Sequence, residues 1–369
     1  KRIDFANMFP QATARLNGNR ETTNYGGDNF DADPELSLTA SISWELDLWG
    51  NLRWARDHST AGFLASVENC RAVKMGLVAQ VAQSYFELMA LDNELAIVRR
   101  TLEARREGVR LAEIRFKGGL TSEIVFQQAK VELAKTATMV PDLERRISLK
   151  ESEIALLTGD FPYAVNRNVL PEEIQLPDAL PLGLPSTLLE RRPDIRKAER
   201  ELMAAHAEVG LAYTNMFPRL ALTATLGAES ETLRDLLKSP YSYLAGNLLS
   251  PLFAMGKNRA ALKAKRAAYE GAVAEYEKTV LTAFKETHNA IINFNKIKDI
   301  YESRRQLAEA SRTAVELAQL QYINGVIGYL DLLDAQRNYF DAQVSLSNAV
   351  CDKQLMIINL YKALGGGWK

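Results

Sequence analysis

The stretch LSLTASISWELDL, residues 36–48, decides the fold of this 369-residue chain. Apolar side chains occupy every even position of the stretch and polar side chains every odd position. A period of two is the pattern of a β-strand with one apolar face. The run is longer than the ~5–6 residues of a typical soluble strand and exceeds the ~9–11 residues of a tilted membrane strand. It therefore predicts a strand over 36–48 that is long enough to cross a bilayer.

A second alternating segment, residues 11–19, precedes this strand and is joined to it by the polar residues 25–34. Glycine, aspartate and proline in that connection are typical of a turn, so the two segments predict a β-hairpin. Trp44 and Trp49 lie towards one end of the hairpin, where membrane barrels carry an aromatic girdle. A soluble amphipathic hairpin lying on a core would give the same alternation, and at this point both alternatives stay open.

The placement of proline predicts two very long helices. Residues 35–140 and 252–369 contain no proline, the strongest helix breaker. We expect helices over 52–116 and 257–322, each on the order of 100 Å long at ~1.5 Å per residue. The gaps of 4 and 3 that mark a coiled-coil seam recur in both segments. The seam residues are Leu77, Val81, Ser84, Leu88, Leu91, Leu95, Val98 and Leu102 in the first, and Val280, Phe284, Thr287, Ile291 and Phe294 in the second.

The chain is interpreted as a tandem duplication. Three glycine-containing motifs recur at an offset of 206 residues: 49–51 with 255–257, 115–120 with 321–326, and 156–159 with 362–365. A single offset maintained over such a distance indicates a repeated structural unit. Each unit is predicted to run strand, loop, strand, long helix, glycine turn and shorter helix.

The duplication gives a domain plan with a first repeat over 1–159, an irregular proline-rich linker over 160–185 and a second repeat over 186–369. The further predicted elements are helices over 121–158, 186–216 and 327–364, and strands over 219–227 and 243–253. The first repeat lacks a counterpart of the helix over 186–216, so we expect a chain truncated at its N-terminus. That truncation also accounts for the missing signal peptide in residues 1–9.

Composition excludes several classes of protein. Lys and Arg number 45 against 46 Asp and Glu, and a net charge of −1 gives no indication of a nucleic-acid partner. The two cysteines, Cys70 and Cys351, are too few for a cysteine metal site and are expected to be buried small residues. No histidine metal motif, phosphate-binding loop or nucleophile elbow occurs, so we expect no metal, no cofactor and no enzyme activity.

Five short segments resemble the outer membrane factor family, the TolC-like outer membrane efflux proteins, and in particular its lipoprotein branch that serves RND pumps. The segments are LDLWGNLR at 46–53, RPDIRKAE at 192–199, PLFAMG at 251–256, YLDLLDAQR at 329–337 and LYKALGGGW at 360–368. The resemblance implies a mixed α+β, mainly α fold. It implies long antiparallel helices that form a periplasmic tunnel and four strands per protomer in a trimeric twelve-stranded outer membrane β-barrel. It also implies an N-terminal lipidated cysteine, which these 369 residues do not contain.

The strand count points to a shared barrel independently of the family. Four strands cannot close a barrel, and an open edge would leave backbone amides unpaired in lipid. A membrane-inserted form of this chain must therefore assemble. The resemblance names the partners as two further copies of the chain, outer membrane lipid, a periplasmic adaptor and an inner-membrane RND-type transporter.

Two glycine turns join the long helices to the shorter ones at the end farthest from the strands. Ordinary helical-hairpin turns account for the glycines but not for apolar side chains at exposed tips. By resemblance, these tips are the surface that contacts the adaptor. Its residues are Gly118, Gly119, Leu120, Thr121, Ser122, Gly325, Val326 and Ile327.

A periplasmic gate is predicted just after the second turn. Asp331 and Asp334 stand three positions apart on one helical face, whereas the repeat places Val125 and Gln128 at the corresponding positions of the first unit. Two solvated acids favoured by the helix dipole are the plain alternative. Three copies around an axis would instead form a carboxylate ring, a common cation selector. The resemblance adds Leu330 and Tyr322 to the gate.

These observations predict a passive exit duct in a tripartite efflux or secretion system, placed in the outer membrane of a Gram-negative bacterium and extending into the periplasm. A structural periplasmic coiled-coil protein is the alternative, but it has no use for the strand pattern over 36–48. A helical-hairpin adaptor would need a flanking β-rich domain that the sequence does not indicate.

Overall fold

The computed structural model describes residues 2–23, 31–167, 189–251 and 255–366. Contacts within the chain divide it into two units. The strand unit comprises Lys1–Asn69 and Asp194–Val280, and the helical unit comprises Cys70–Pro193 and Leu281–Lys369. The predicted mixed fold with mainly helical content is confirmed. In chain order the elements are α1 Arg2–Ala6, β1 Gln11–Thr23, β2 Asp31–Leu46, α2 Asn51–Lys117, α3 Glu123–Thr158, α4 Pro193–Thr214, β3 Arg219–Ser230, a 3₁₀ turn Leu236–Lys238, β4 Pro240–Leu249, α5 Lys257–Ile323 and α6 Tyr329–Ala363.

The strand unit contains one four-stranded antiparallel sheet in the order β1-β2-β3-β4. Its register places Ser41 opposite Thr225, and their hydroxyl oxygens lie 3.0 Å apart. The neighbouring pair on the other face is Ile42 with Ala224. Because successive side chains alternate between faces, one face of the sheet is apolar and the other is polar along these strands. The alternation over 36–48 therefore forms a sheet with two distinct faces.

The connection from β2 to α2 explains why the second strand ends at Leu46 rather than at the predicted residue 48. The carboxylate of Asp47 accepts hydrogen bonds from the backbone N–H groups of Leu52 and Arg53 at 2.9 and 3.1 Å. It thereby satisfies free donors in the first turn of α2. Gly50 makes the bend with a φ of 82°. Asp47 thus belongs to the helix start and is unavailable to the strand.

The first predicted seam forms the core of the helical unit. Leu88, Leu91, Leu95 and Val98 of α2 are buried against α3, as expected from their spacing. The α3 side of this core is contributed by Leu143, Ile147 and Ile154. Leu77, at the start of the predicted seam, is exposed.

The second predicted seam is confirmed in part. Thr287 is buried as expected, and Ile291 and Phe294 pack half-buried against the core formed by Ala290, Leu360 and Ala363. Phe284 is exposed, and its neighbour Ala283 is buried instead. Small side chains let a neighbouring helix approach closely, and Ala290 packs against Leu360 of α6.

Most other element bounds lie within a few residues of the expected ones. Helix α4 begins at Pro193 rather than 186, and proline is favoured at the first helical position. Strand β4 ends at Leu249 rather than 253. The expected linker over 160–185 lies outside the described residues from 168 onwards, as do 186–188 and 252–254.

Six described glycines have positive φ, the left-handed region in which glycine has no steric penalty. They are Gly50, Gly119, Gly159, Gly256, Gly325 and Gly365. They form three pairs at the offset of 206 residues found in the sequence. Each pair occupies an equivalent helix start or helix end in the two halves of the chain.

Cys70 is exposed and Cys351 is half-buried, so the expectation that both are buried is wrong for Cys70.

Within the described residues, none of the helices contains a stretch that is long, apolar and low enough in charge to cross a membrane.

Candidate functional site

The α2–α3 connection forms the first hairpin tip of the helical unit. Gly118 and Gly119 end α2 by donating backbone hydrogen bonds to Ile114 and Phe116, both at 2.9 Å. Leu120 is 72% exposed although it is apolar. Of the remaining predicted tip residues, Ser122 is exposed and Thr121 is half-buried. The tip thus presents a leucine side chain to solvent.

The α5–α6 connection forms the second tip with the same backbone design. Gly325 adopts a φ of 75°, close to the 72° of Gly119. Val326 takes the place of Leu120 and is 70% exposed, while Ile327 is half-buried. Both predicted tips therefore carry one exposed apolar side chain directly after a left-handed glycine.

The predicted gate acids lie at the start of α6, on its exposed side. Asp331 Oδ2 accepts a hydrogen bond from the Gly328 backbone N–H at 3.0 Å, which caps the helix. Asp334 Oδ2 accepts one from the Asn338 side chain at 3.3 Å. Leu330 is exposed beside them, whereas Leu332 and Leu333 on the opposite side are buried. Leu330, Asp331 and Asp334 thus share an outward-facing patch.

Tyr322 occupies a different environment from the other three predicted gate residues. It is 5% exposed, and its ring lies edge-on to Tyr329 with the centroids 5.8 Å apart. The Arg115 guanidinium sits 4.9 Å above the Tyr322 ring, a cation–π contact. Within the protomer, Tyr322 therefore supports the start of α6 from inside and does not join the outward-facing patch.

Sequence reasoning missed a charge cluster in which Arg105 and Glu132 are buried and Arg337 is 47% exposed. Glu132 of α3 has a side chain only 4% exposed. Arg105 Nη1 of α2 lies 2.8 Å from Glu132 Oε2, and Arg337 Nη2 of α6 donates to Glu132 Oε1. One carboxylate thus joins three helices. Since α6 also carries the exposed acids, the cluster fixes the helix on which they stand.

The electrostatics of the cluster favour ionised groups. Burial raises the pKa of Glu132, but the hydrogen bond from Arg337 and the charges of Arg105 and Arg337 bring that pKa below the ordinary glutamate value. Burial lowers the pKa of Arg105, against the opposing effect of Glu132. The hydrogen bond to Glu132 raises the pKa of Arg337. A buried carboxylate with two arginines remains charged because both partners compensate for its lost hydration.

A sequence signal for this cluster existed. The seam of α2 runs through Val98 and Leu102 in gaps of 4 and 3, and its next position is Arg105. On α3, Glu132 lies between the buried residues Ala129 and Thr136, again at gaps of 3 and 4. A charged residue on an apolar seam needs a charged partner. The sequence could therefore have indicated an ion pair between Arg105 and Glu132.

The described residues contain no group of three or more His, Cys, Asp or Glu side chains placed to hold a metal ion.

Long helices, a four-stranded antiparallel sheet and helical hairpin tips are features that this chain shares with known proteins. The outer membrane efflux protein family model matches residues 2–160 and 184–366. Outer membrane protein OprJ of Pseudomonas aeruginosa is 33% identical over 381 residues, covering 100% of this chain and 78% of OprJ. Solvent efflux pump outer membrane protein SrpC of Pseudomonas putida is 33% identical over 376 residues, covering 100% of this chain and 79% of SrpC.

Solved structures agree with the sequence relatives. The structure of the outer-membrane channel OprN superposes with a TM-score of 0.92 and 30% identity, covering 100% of this chain and 84% of OprN. The chain belongs to the outer membrane efflux protein family. It is an outer membrane component of an efflux system, as the resemblance in the sequence implied.

Proposed function

We propose that the chain is one subunit of a homotrimeric exit duct that carries small molecules passively through the periplasm and the outer membrane. The observation that carries this proposal is the sheet order. Among the described strands, β1 pairs only with β2 and β4 only with β3, so both edges of the sheet are open. In lipid, these edges need partners. Three copies would supply twelve strands and close the sheet into a barrel.

The duct works without catalysis in this proposal. Its relative SrpC is named as the outer membrane protein of a solvent efflux pump, and OprJ is named as an outer membrane protein. We infer that energy comes from an inner-membrane RND-type transporter, which a periplasmic adaptor couples to the duct. The transported compound follows from the transporter, because a duct lined by polar side chains need not recognise it.

The adaptor contacts the two hairpin tips. Leu120 and Val326 are apolar, more than two thirds exposed and placed at equivalent positions of the two hairpins. Apolar side chains in such positions favour burial against a partner surface. The two tips of three protomers would offer six similar contacts, which suits an adaptor built of repeated helical hairpins.

The gate is formed by Leu330, Asp331 and Asp334, with Tyr322 behind them. Three copies would bring six carboxylates and three leucines together where the α6 helices approach the axis. The carboxylates attract cations and repel one another, so the ring both selects cations and narrows the passage. Tyr322 contributes by packing against Tyr329, the first residue of α6.

The two halves of the chain are structural repeats in this proposal. The three pairs of left-handed glycines, separated by the same offset, support the duplication. Repetition gives each protomer two similar helical hairpins and two β-hairpins. A trimer of such protomers has approximate sixfold regularity around its axis.

The assembly is tested on the intact protein in detergent by size-exclusion chromatography with light scattering. We expect a protein mass of three copies that withstands mild heating. The same sample should produce discrete conductance steps in planar bilayers. A water-soluble monomer that leaves bilayers unchanged would contradict the proposal.

A further inference from the structure

A small cavity of about 40 Å³ lies inside the helical unit, behind the start of α6. It is lined by residues of α2, α3, α5 and α6, among them Arg105, Glu132, Tyr322 and Tyr329. These residues include Arg105 and Glu132 of the charge cluster and the tyrosine pair described above. The cavity is therefore a polar space at the point where the four helices of the unit meet.

Three buried polar atoms in this lining have no hydrogen-bond partner among the described residues. They are the Tyr322 hydroxyl, the Arg105 Nε and the Glu132 Oε2. The Glu132 oxygen lies 2.8 Å from Arg105 Nη1, but that nitrogen donates to the Glu132 carbonyl and to the Thr136 hydroxyl. Both N–H groups of Nη1 are thus used. Arg105 therefore attracts Glu132 Oε2 electrostatically but donates no hydrogen bond to it.

We propose that the cavity is a binding site for internal water. The volume is sufficient, since one water needs ~10–15 Å³ of such space and fills about 30 Å³ in the liquid. The three atoms comprise an N–H donor, a carboxylate acceptor and a hydroxyl that can do either, and a water molecule can serve all three kinds. Unpaired buried polar groups of this kind are costly, which favours the bound state.

Charge excludes the other small ligands. An anion would face the carboxylate of Glu132, and a cation would face the guanidinium group of Arg105. An apolar gas atom would leave all three polar atoms unsatisfied. A neutral molecule that both donates and accepts hydrogen bonds fits this lining, and about 40 Å³ leaves room for only a few molecules of the size of water.

The water extends the charge cluster to a fourth helix. Arg105, Glu132 and Arg337 connect α2, α3 and α6 directly, and Tyr322 of α5 lines the same cavity as Arg105 and Glu132. A hydrated cavity therefore adds a polar link to the ring contacts that Tyr322 already makes with Arg115 of α2 and Tyr329 of α6. The hydroxyl of Tyr322 is the group that makes this connection.

The sign of a stability change tests the proposal. Tyr322→Phe removes the hydroxyl and keeps the ring. If the hydroxyl binds water, the melting temperature of the intact trimer should fall by a few degrees, because a hydrogen-bonded group is lost. If the cavity is dry, removal of an unsatisfied hydroxyl should leave the melting temperature unchanged or raise it, and the proposal is overturned. Tyr361→Phe, at a 56% exposed position of α6, is the matched control and should have no effect.

A high-resolution crystal structure of the intact trimer provides the direct measurement. The proposal expects a water within hydrogen-bond distance of Tyr322 Oη and of at least one of Arg105 Nε and Glu132 Oε2, and its loss in Tyr322→Phe. A well-ordered cavity without such density would overturn it. So would a Tyr322 hydroxyl bonded directly to a protein acceptor.

Discussion

The two hairpin tips of the helical unit have nearly identical backbones and different chemistry. Leu120 N–H donates to Arg115 O at 2.8 Å in the first, and Val326 N–H donates to Gln321 O at 2.9 Å in the second. Each tip turns on a glycine in the left-handed region. In the first turn of α6, Asp331 accepts a capping hydrogen bond from the Gly328 backbone N–H, whereas the side chain of Ser122 makes no capping bond at the start of α3. The shared features concern backbone geometry, and the differing ones concern charge.

The two hairpins differ in where they place particular charges. The first hairpin buries one acid, Glu132, against Arg105. The second exposes Asp331 and Asp334 and contributes Arg337, which is half-exposed, as a further partner of Glu132. One backbone design thus supplies an internal support in the first hairpin and an outward-facing acidic patch in the second.

The largest effect is expected for Glu132→Ala. Removing the carboxylate leaves Arg105 buried without a counter-charge, and breaking a buried ion pair in this way costs about 3–5 kcal/mol. Thermal unfolding of the intact trimer in detergent should show a strongly lowered melting temperature. The matched control is Glu107→Ala in the same hairpin, because Glu107 pairs with Arg110 in full solvent. Exposed pairs contribute about 1 kcal/mol or less, so equal losses for both variants would contradict the assigned role of Glu132.

The same carboxylate predicts how stability depends on pH. The pKa of Glu132 is lower in the folded state than in the unfolded chain, so its contribution is fully present above the ordinary glutamate pKa of about 4.3. The contribution is lost as the pH falls from that value through the folded pKa. Wild type should be more stable than Glu132→Gln at neutral pH, and the difference should shrink below about pH 4. A difference that is constant between pH 7 and pH 3 would contradict this account.

Substitution of the two turn glycines is expected to lower stability equally, and by less than Glu132→Ala. Gly119→Ala and Gly325→Ala each force a side chain into the left-handed region, which costs about 1–2 kcal/mol. A Cβ at either position meets no atom within 4 Å, so conformation alone decides the cost. Gly271→Ala, inside α5 and equally unobstructed, should instead stabilise by about 0.5–1 kcal/mol. Clearly unequal losses at the two tips would break the claim that their backbones are equivalent.

The smallest effects on stability are expected at the exposed acids. Asp331→Ala removes the cap of α6 and should cost about 0.5–2 kcal/mol, in the range of a lost helix cap. Asp334→Ala removes a solvated group and should change stability by about 0.5 kcal/mol at most. Denaturation of the two single variants under the same conditions provides the measurement. A larger loss of stability in Asp334→Ala than in Asp331→Ala would contradict the stabilising role assigned to the Asp331 cap.

The sequence allows most of the fold to be predicted and only part of the site. Alternation over 36–48 and the proline-free segments give the strands and long helices, because both patterns are local. In α5 the sequence did not distinguish Ala283, which is buried, from Phe284, which is exposed, because both are apolar and adjacent. Arg337, the second arginine partner of Glu132, lies 205 residues away in the sequence, so local spacing cannot identify it. The exposed acids were found because their spacing and helix position are local properties.

The difference between the two hairpins is tested most directly by single-channel recording from the intact trimer in planar bilayers. Wild type is compared with the double variants Asp331→Ala with Asp334→Ala and Glu103→Ala with Glu107→Ala. The second pair removes exposed acids from the first hairpin. If the second hairpin forms the gate, its double variant should conduct more and prefer cations less, while the first-hairpin variant behaves as wild type. Unchanged conductance and selectivity in the Asp331 and Asp334 variant would contradict the gate.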